Sequence, residues 1–276
     1  MRMILAALAV AFSGQTALAE GEGTTDLTSL MTAYDARGWE AVGRLNVGWG
    51  GMCTAALISP KIVLTAAHCL YDAGTKKVVN PASIEFHAGW RNGRASASRK
   101  VNRAVIHPDY EFTGPQGNIH VAHDLAILEL QSEIRLATIE PFATGSRPRK
   151  GQNVGVVSYA HDRADSPSIQ EVCHVLARRQ GALVLSCDVD FGSSGAPIFA
   201  EVDGVPQIVS VVSAKAEVNG RRVSLGTNLE KPLSEMMALL NGGGGIAPRT
   251  IPVARTMTPN QPRRLNGGGG AKFLRP

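Results

Sequence analysis

"CDVDFGSSGAPIF", Cys187 to Phe199, sets two adjacent serines inside a Gly-rich turn. The apolar run "ALVLSC" leads into the turn and "APIFA" leads out of it, so it lies between two short strand-like segments. A hydroxyl is a poor nucleophile at neutral pH. It needs a general base, and the base needs a carboxylate to orient it. Working outward, two upstream turns supply both. "IVLTAAHC" ends a strand-like run in small residues that present His68 beside Cys69, and "HDLAILEL" presents Asp124 at the start of a half-buried strand. Singly, a Ser in a Gly-rich turn is a turn former, a His after a strand is structural, and an Asp at a strand start caps a turn. Together, one His, one Asp and one Ser stand in chain order, each at a strand boundary.

The surroundings are mostly strands. Between residues 38 and 240, "VGRLNV", "CTAALI", "IVLTA", "SIEFHA", "KVNRAVI", "LAILEL", "NVGVVSY", "EVCHVLA", "QIVSVVSA" and "VSLGTNL" join the two runs above, separated by Gly, Pro, Asn and Asp clusters. So many short strands at close spacing predict an all-β barrel or sandwich. A single helical segment follows, "KPLSEMMALLN", with Leu233, Met236, Met237 and Leu240 at helical spacing. The polar, Pro-containing "EPFATGSRPRKGQ" divides the strands into two similar groups near residue 145. The economical architecture is two small antiparallel barrels closed by a C-terminal helix.

The ends read differently. Residues 1–19 have a basic start at Arg2, an apolar run from Ile4 to Phe12 and an Ala17-Leu18-Ala19 exit, the layout of a signal peptide, which predicts a secreted or periplasmic protein. No later segment approaches the ~18 uninterrupted apolar residues of a membrane span. Residues 20–38, rich in Gly and Thr, read as a spacer or pro-segment with a processing point at Arg37-Gly38, ahead of a 39–241 domain. Export suits the four cysteines, an even number with no C-x-x-C pair. Three pairings are open; Cys53 with Cys69 and Cys173 with Cys187 is favoured, because each pair brackets two consecutive strand-like runs. Each bridge would close a loop of roughly 15 residues, which the chain-entropy model values at about 3 kcal/mol.

The net charge of +5 is misleading. The segment 242–276 carries Arg249, Arg255, Arg263, Arg264, Lys272 and Arg275 with no acidic residue. Setting these six and Arg2 aside from the 28 basic residues leaves 21 against 23 acidic ones, a slight acidic excess for the body. The basic balance therefore belongs to a tail whose Gly, Pro and Arg content predicts disorder, and it does not argue for nucleic acid as a partner.

At this point the sequence resembles a family. "LTAAHC", "DLAIL" and the G-x-S-G-x-P pattern of "GSSGAP" are similar to the three signature segments of the trypsin/chymotrypsin-like serine proteases. Ser193 and Ala196 look more like the bacterial glutamyl-endopeptidase-like branch. The resemblance covers roughly residues 40 to 240 and implies two six-stranded antiparallel barrels. It also implies a monomeric endopeptidase acting on peptides or proteins through an acyl-enzyme, without cofactor. By the same carry-over His68 is the general base, Asp124 orients it, Ser194 is the nucleophile, and the N–H groups of Gly192 and Ser194 form an oxyanion hole.

For specificity, the resemblance aligns Ser213, Ala214 and Lys215 with the strand that pairs with substrate backbone. It aligns Asp188 with the carboxylate that receives Arg or Lys in trypsin-like enzymes. Asp188 as a structural hydrogen-bond acceptor stands beside that reading. Lys215 stands where Gly is usual and would neutralise Asp188 or crowd the pocket. Val212 replaces the His of acid-specific members, against acidic specificity. Of the remaining histidines, His87 and His107 read as polar strand or loop residues. His120 and His123, in "HVAH", lack a third ligand and the HExxH pattern, so no metal is expected. A catalytically silent module that binds peptide in the same groove is the alternative from a different functional class.

Overall fold

The structure, a computed structural model, describes residues 24–48, 50–114 and 120–249. The expected signal at 1–19 and the tail from residue 250 onward lie outside them. Six strands form a closed barrel: β2 (Val42–Val47), β3 (Gly51–Ser59), β4 (Ile62–Thr65), β5 (Ile84–Ala88), β6 (Ala97–Ile106) and β7 (Ala126–Leu130), in the order β2-β3-β4-β7-β6-β5. After the connection 131–152 come β8 (Asn153–Ala160), β9 (Arg163–Arg179), β10 (Ala182–Leu185), β11 (Pro197–Val202), β12 (Val205–Val218) and β13 (Arg221–Asn228). They pair in the order β9-β10-β13-β12-β11-β8, and a further β8–β9 pairing joins the two ends into a ring.

Within the expected spacer or pro-segment 20–38, Thr28–Ser29 form a short strand, β1, antiparallel to β9 opposite Ile169 and Ser168. Leu30 and Ala36 are buried, and Gln170 Nε2 donates to the Thr25 carbonyl at 2.7 Å. The Gly/Thr composition hid a segment that is anchored by its backbone. Residues 242–249, the start of the expected disordered tail, are held in place. Ile246 exchanges both backbone hydrogen bonds with Ala104 of β6, and Asn80 exchanges two with the Arg249 backbone.

The helix α1 (Glu230–Asn241) buries Leu233, Met236 and Leu240 and packs against β6 and β7. Its apolar stripe is thus spent on the first barrel although the helix follows the second. Trp39 before β2, Phe142 in the connection and Phe199 of β11 meet as an aromatic trio, with centroids 4.7 to 5.9 Å apart. Buried aromatic pairs of this kind add about 0.5–1.5 kcal/mol each beyond their area. They fasten one barrel to the other, and none of the three lines the cleft between the barrels.

Candidate active site

Register brings the first two groups together. In the β4–β7 pair Thr65 faces Ala126, so the end of β4 meets the start of β7. His68 sits in the 3-10 turn Ala67–Leu70 just past β4, and Asp124 follows the turn Val121–His123 just ahead of β7. Asp124 is fully buried. Its Oδ2 lies 2.7 Å from His68 Nδ1, its Oδ1 accepts the His68 backbone N–H at 2.9 Å, and Ser213 Oγ donates to Oδ2 as well. From β13, Thr227 Oγ1 donates to the Asp124 carbonyl at 3.1 Å. These contacts hold the imidazole through Nδ1 and leave Nε2 turned away from Asp124. Burial works to lower the His68 pKa, but the Asp124 charge and hydrogen bond outweigh it and hold it above the usual histidine value.

Ser213 reaches Asp124 through a bulge. The register of β12 against β13 shifts between Val212 and Ala214, leaving Ser213 as the extra residue and turning its hydroxyl inward.

The third segment is the turn between β10 and β11. Its flanking N–H groups are used internally: Phe191 donates to Asp190 Oδ1, Ser193 to the Asp190 carbonyl, Gly195 to Val212 and Ala196 to Ser193. Within residues 190–196, the N–H groups of Gly192 and Ser194 are the two that find no acceptor among the described residues. The carbonyls of the same turn are pinned on the far side. Phe191 O accepts from His161 N at 2.8 Å, Gly192 O from Thr54 Oγ1 at 2.9 Å and Ser194 O from Thr54 N at 2.8 Å. In a trans peptide the N–H points opposite to the carbonyl of the preceding residue, so the Gly192 N–H points away from His161, which holds Phe191 O, and the Ser194 N–H points away from the Ala196 N–H, which holds Ser193 O at 2.9 Å. Gly192 has φ +98°, and a Cβ there would lie 2.5 Å from Met52 Cε and 2.9 Å from Ala160 Cα. Glycine is therefore required twice over.

His68, Gly192, Ser194, Ser213, Ala214 and Lys215 all line one cleft between the barrels. No hydrogen bond joins His68 Nε2 to Ser194 Oγ; such contacts commonly tighten only when substrate is bound. The disulfides are Cys53–Cys69, which ties β3 to the His68 turn, and Cys173–Cys187, which ties β9 to the approach to the Ser194 turn. Asp188 departs from expectation. It is exposed and does not line the cleft, its N–H donating to Gln170 Oε1 at 2.7 Å. The carboxylate at the cleft is Asp190, whose Oδ1 lies 2.6 Å from Lys215 Nζ. This pair joins residues 25 apart, one in the β10–β11 turn and one in strand β12, which sequence spacing does not reveal. The His120–His123 pairing is replaced by a different one, with His107, Asp109 and His123 bringing ligand atoms within 4.8 Å of one another. However, the two imidazoles stack with planes 13° apart, so their lone pairs run parallel and do not converge on one ion.

A family model described as Trypsin matches residues 31–227. Serine protease 23 of Homo sapiens is 26% identical over 167 residues, 54% of this chain and 43% of that protein. Venom serine protease 34 of Apis mellifera is 26% identical over 117 residues, 41% of this chain and 28% of that protein. An inactive serine protease, PAMR1 of Homo sapiens, is 28% identical over 103 residues, 35% of this chain and 14% of that protein. The chain thus spans less than half the length of each of these relatives. A solved structure of a Glu endopeptidase in complex with MPD shares the fold, with a TM-score of 0.65 at 18% identity, covering 78% of this chain and 96% of that one. With the family model spanning most of the chain and the barrels in place around the cleft, this protein belongs to the trypsin family.

Proposed function

We propose that the protein is an exported serine endopeptidase. Ser194 Oγ attacks the scissile carbonyl while His68 Nε2 takes its proton. The oxyanion that forms is held by the Gly192 and Ser194 N–H groups. His68 then returns the proton to the leaving amine, and water hydrolyses the acyl-enzyme by the same route. Asp124 keeps the imidazole in the required tautomer and stabilises the cation that forms. The observation that carries this reading is the pair of acceptor-free N–H groups at Gly192 and Ser194. They lie in a turn whose other N–H groups are satisfied, in the cleft that also holds the His68–Asp124 pair. Losing one such donor costs about 3–4 kcal/mol of barrier in comparable sites. The two disulfides and the signal-like N-terminus support export to an oxidising compartment.

Covalent labelling by a fluorophosphonate probe is the test. Wild type should label, Ser194→Ala should not, and His68→Ala should label more slowly by roughly 10⁴-fold. The second reading, a silent peptide-binding module, draws on the inactive relative. It requires folded wild-type protein that fails to label.

A further inference from the structure

We propose that Lys215 sets the specificity of this cleft. With Asp190 and Phe191 it closes the gap through which a substrate side chain enters. The site therefore takes short uncharged side chains before the scissile bond and turns away cationic and long ones. The proposal rests on the hydrolase reading for the bond that is cut, but not for the binding order.

The path of the peptide follows from an open strand edge. β11 pairs with β12 only as far as Val211, whereas β13 continues along the other side of β12 to Val218. Gly195 and Ala196 use the backbone groups of Val212, so from Ser213 onward the cleft-side edge of β12 carries no strand. An extended peptide completes such an edge, its alternate side chains entering the pockets beside it. The side chain next to Ser194 then has to pass between residues 189–192 and residues 212–215. Val189 and Val212 are buried on these two walls, which makes the space apolar.

Lys215 spans that space. Its ammonium lies 2.6 Å from Asp190 Oδ1 on the opposite wall and 4.0 Å from the centre of the Phe191 ring. Both are contact distances, so a long side chain enters only by opening the bridge. The charges act in the same direction. The Asp190 carboxylate already holds Lys215 and the Phe191 N–H, so it does not attract an incoming cation. The exposed ammonium repels one, and Asp188, the other carboxylate of this segment, lies outside the cleft lining. Because Lys215 and Asp190 are each about half exposed, the bridge filters by weak selection and not as a permanent seal.

The experiment uses the full chain and peptides that differ only in the residue before the cleaved bond: Ala, Val, Phe, Glu or Arg. For wild type, kcat/KM should be highest for Ala and Val, with Phe and Arg lower by about tenfold or more, since opening an exposed ion pair and a cation–π contact weighs about that much. Lys215→Gly and Lys215→Ala should both raise Phe toward Ala, and Asp190→Asn, which leaves the ammonium unpaired, should raise Glu relative to Ala. Wild type that works best on Arg or Phe overturns the proposal, as does an unchanged order in both Lys215 variants. The same peptides, ending in a free carboxylate at that residue, are titrated calorimetrically onto Ser194→Ala and should bind in the same order. Binding in this order without hydrolysis by wild type rejects the hydrolase reading alone. Hydrolysis in a different order rejects the Lys215 bridge alone.

Discussion

Asp124 shows what a single buried carboxylate does when every donor around it is supplied by a different segment. His68 contributes its ring and its backbone N–H, Ser213 its hydroxyl, and Thr227 grips the carbonyl behind. The consequence is a pH dependence. A general base works when neutral, and the Asp124 charge holds the His68 pKa above the ordinary ~6.5. As pH falls through that raised pKa, His68 is protonated and kcat/KM should decline, so the midpoint of the acid limb should lie above ~6.5. Asp124→Asn removes both raising influences and leaves burial, which lowers. Its residual activity should be down by roughly 10⁴-fold, with the acid limb moved to lower pH. A pH–rate profile measured on both forms checks this; an unmoved limb would mean that His68 is not the titrating group. At Gly195 (φ +79°) a Cβ would lie 2.2 Å from Thr65 Oγ1 and 2.3 Å from the Thr54 carbonyl. Gly195→Ala should therefore lower the thermal midpoint and the labelling rate together.

The element that decides chemistry is the turn 190–195, and its support is hydrogen bonding instead of a charge. Ser193, between the two oxyanion donors, is completely buried. Its Oγ lies 3.2 Å from both Ser158 Oγ and the Tyr159 carbonyl of β8, and 3.5 Å from Arg163 Nη2. Thr54 clamps the same turn from β3, donating to Gly192 O while accepting the Tyr159 N–H at 3.0 Å. Thr54 also follows Cys53, whose bridge to Cys69 stands beside His68. One short piece of β3 thus links the base to the oxyanion turn. Thr54→Val preserves shape but strands two buried partners, which should cost about 1–3 kcal/mol of stability. Ser193→Ala should lower kcat by about five- to tenfold with KM little changed, because the lost bonds hold donors that act on the transition state. Chemical denaturation and steady-state kinetics read the two effects separately.

At the scale of the molecule, the segments 24–30 and 246–249, at the two ends of the described residues, are tied to the barrels. The N-terminal segment lies along β9, and its Thr25 N–H and hydroxyl meet Val172. At position 193 a freed amino terminus has no anionic partner, since Ser193 is neutral, Arg163 already brings a cation there, and the nearby Asp190 carboxylate is held by Lys215. Burying a second cation beside it would be unfavourable. The chain beginning at Glu20 should accordingly label with fluorophosphonate without any cleavage, and an absolute need for cleavage near Gly38 would refute this. At the other end, truncation after Asn241 removes the Ile246–Ala104 pairing and the Arg249–Asn80 clamp. It should lower the thermal midpoint by several degrees, whereas truncation after Arg249 should leave it nearly unchanged.

Local chemistry was readable from the chain itself. The period of the strands, the small residues around His68 and the Gly-rich Ser194 turn are short-range patterns, and short-range patterns report backbone geometry directly. The apolar spacing in α1 was equally plain, because a helix face repeats within a few residues. The anchoring of residues 24–30 was not, since β1 binds through backbone groups that carry no composition signal. Nor was the partner of Lys215. Counting along the chain pointed to Asp188, but residues 186–196 form an irregular turn without a strand's alternation, and there Asp188 is exposed while Asp190 lines the cleft. The setting of the Gly192 and Ser194 N–H groups depends on Thr54 of β3, His161 in the β8–β9 turn and Val212 of β12, which are far apart in the chain. Only the closure of the two barrels on one another brings those residues to the turn, because hydrogen-bond satisfaction is settled by long-range neighbours.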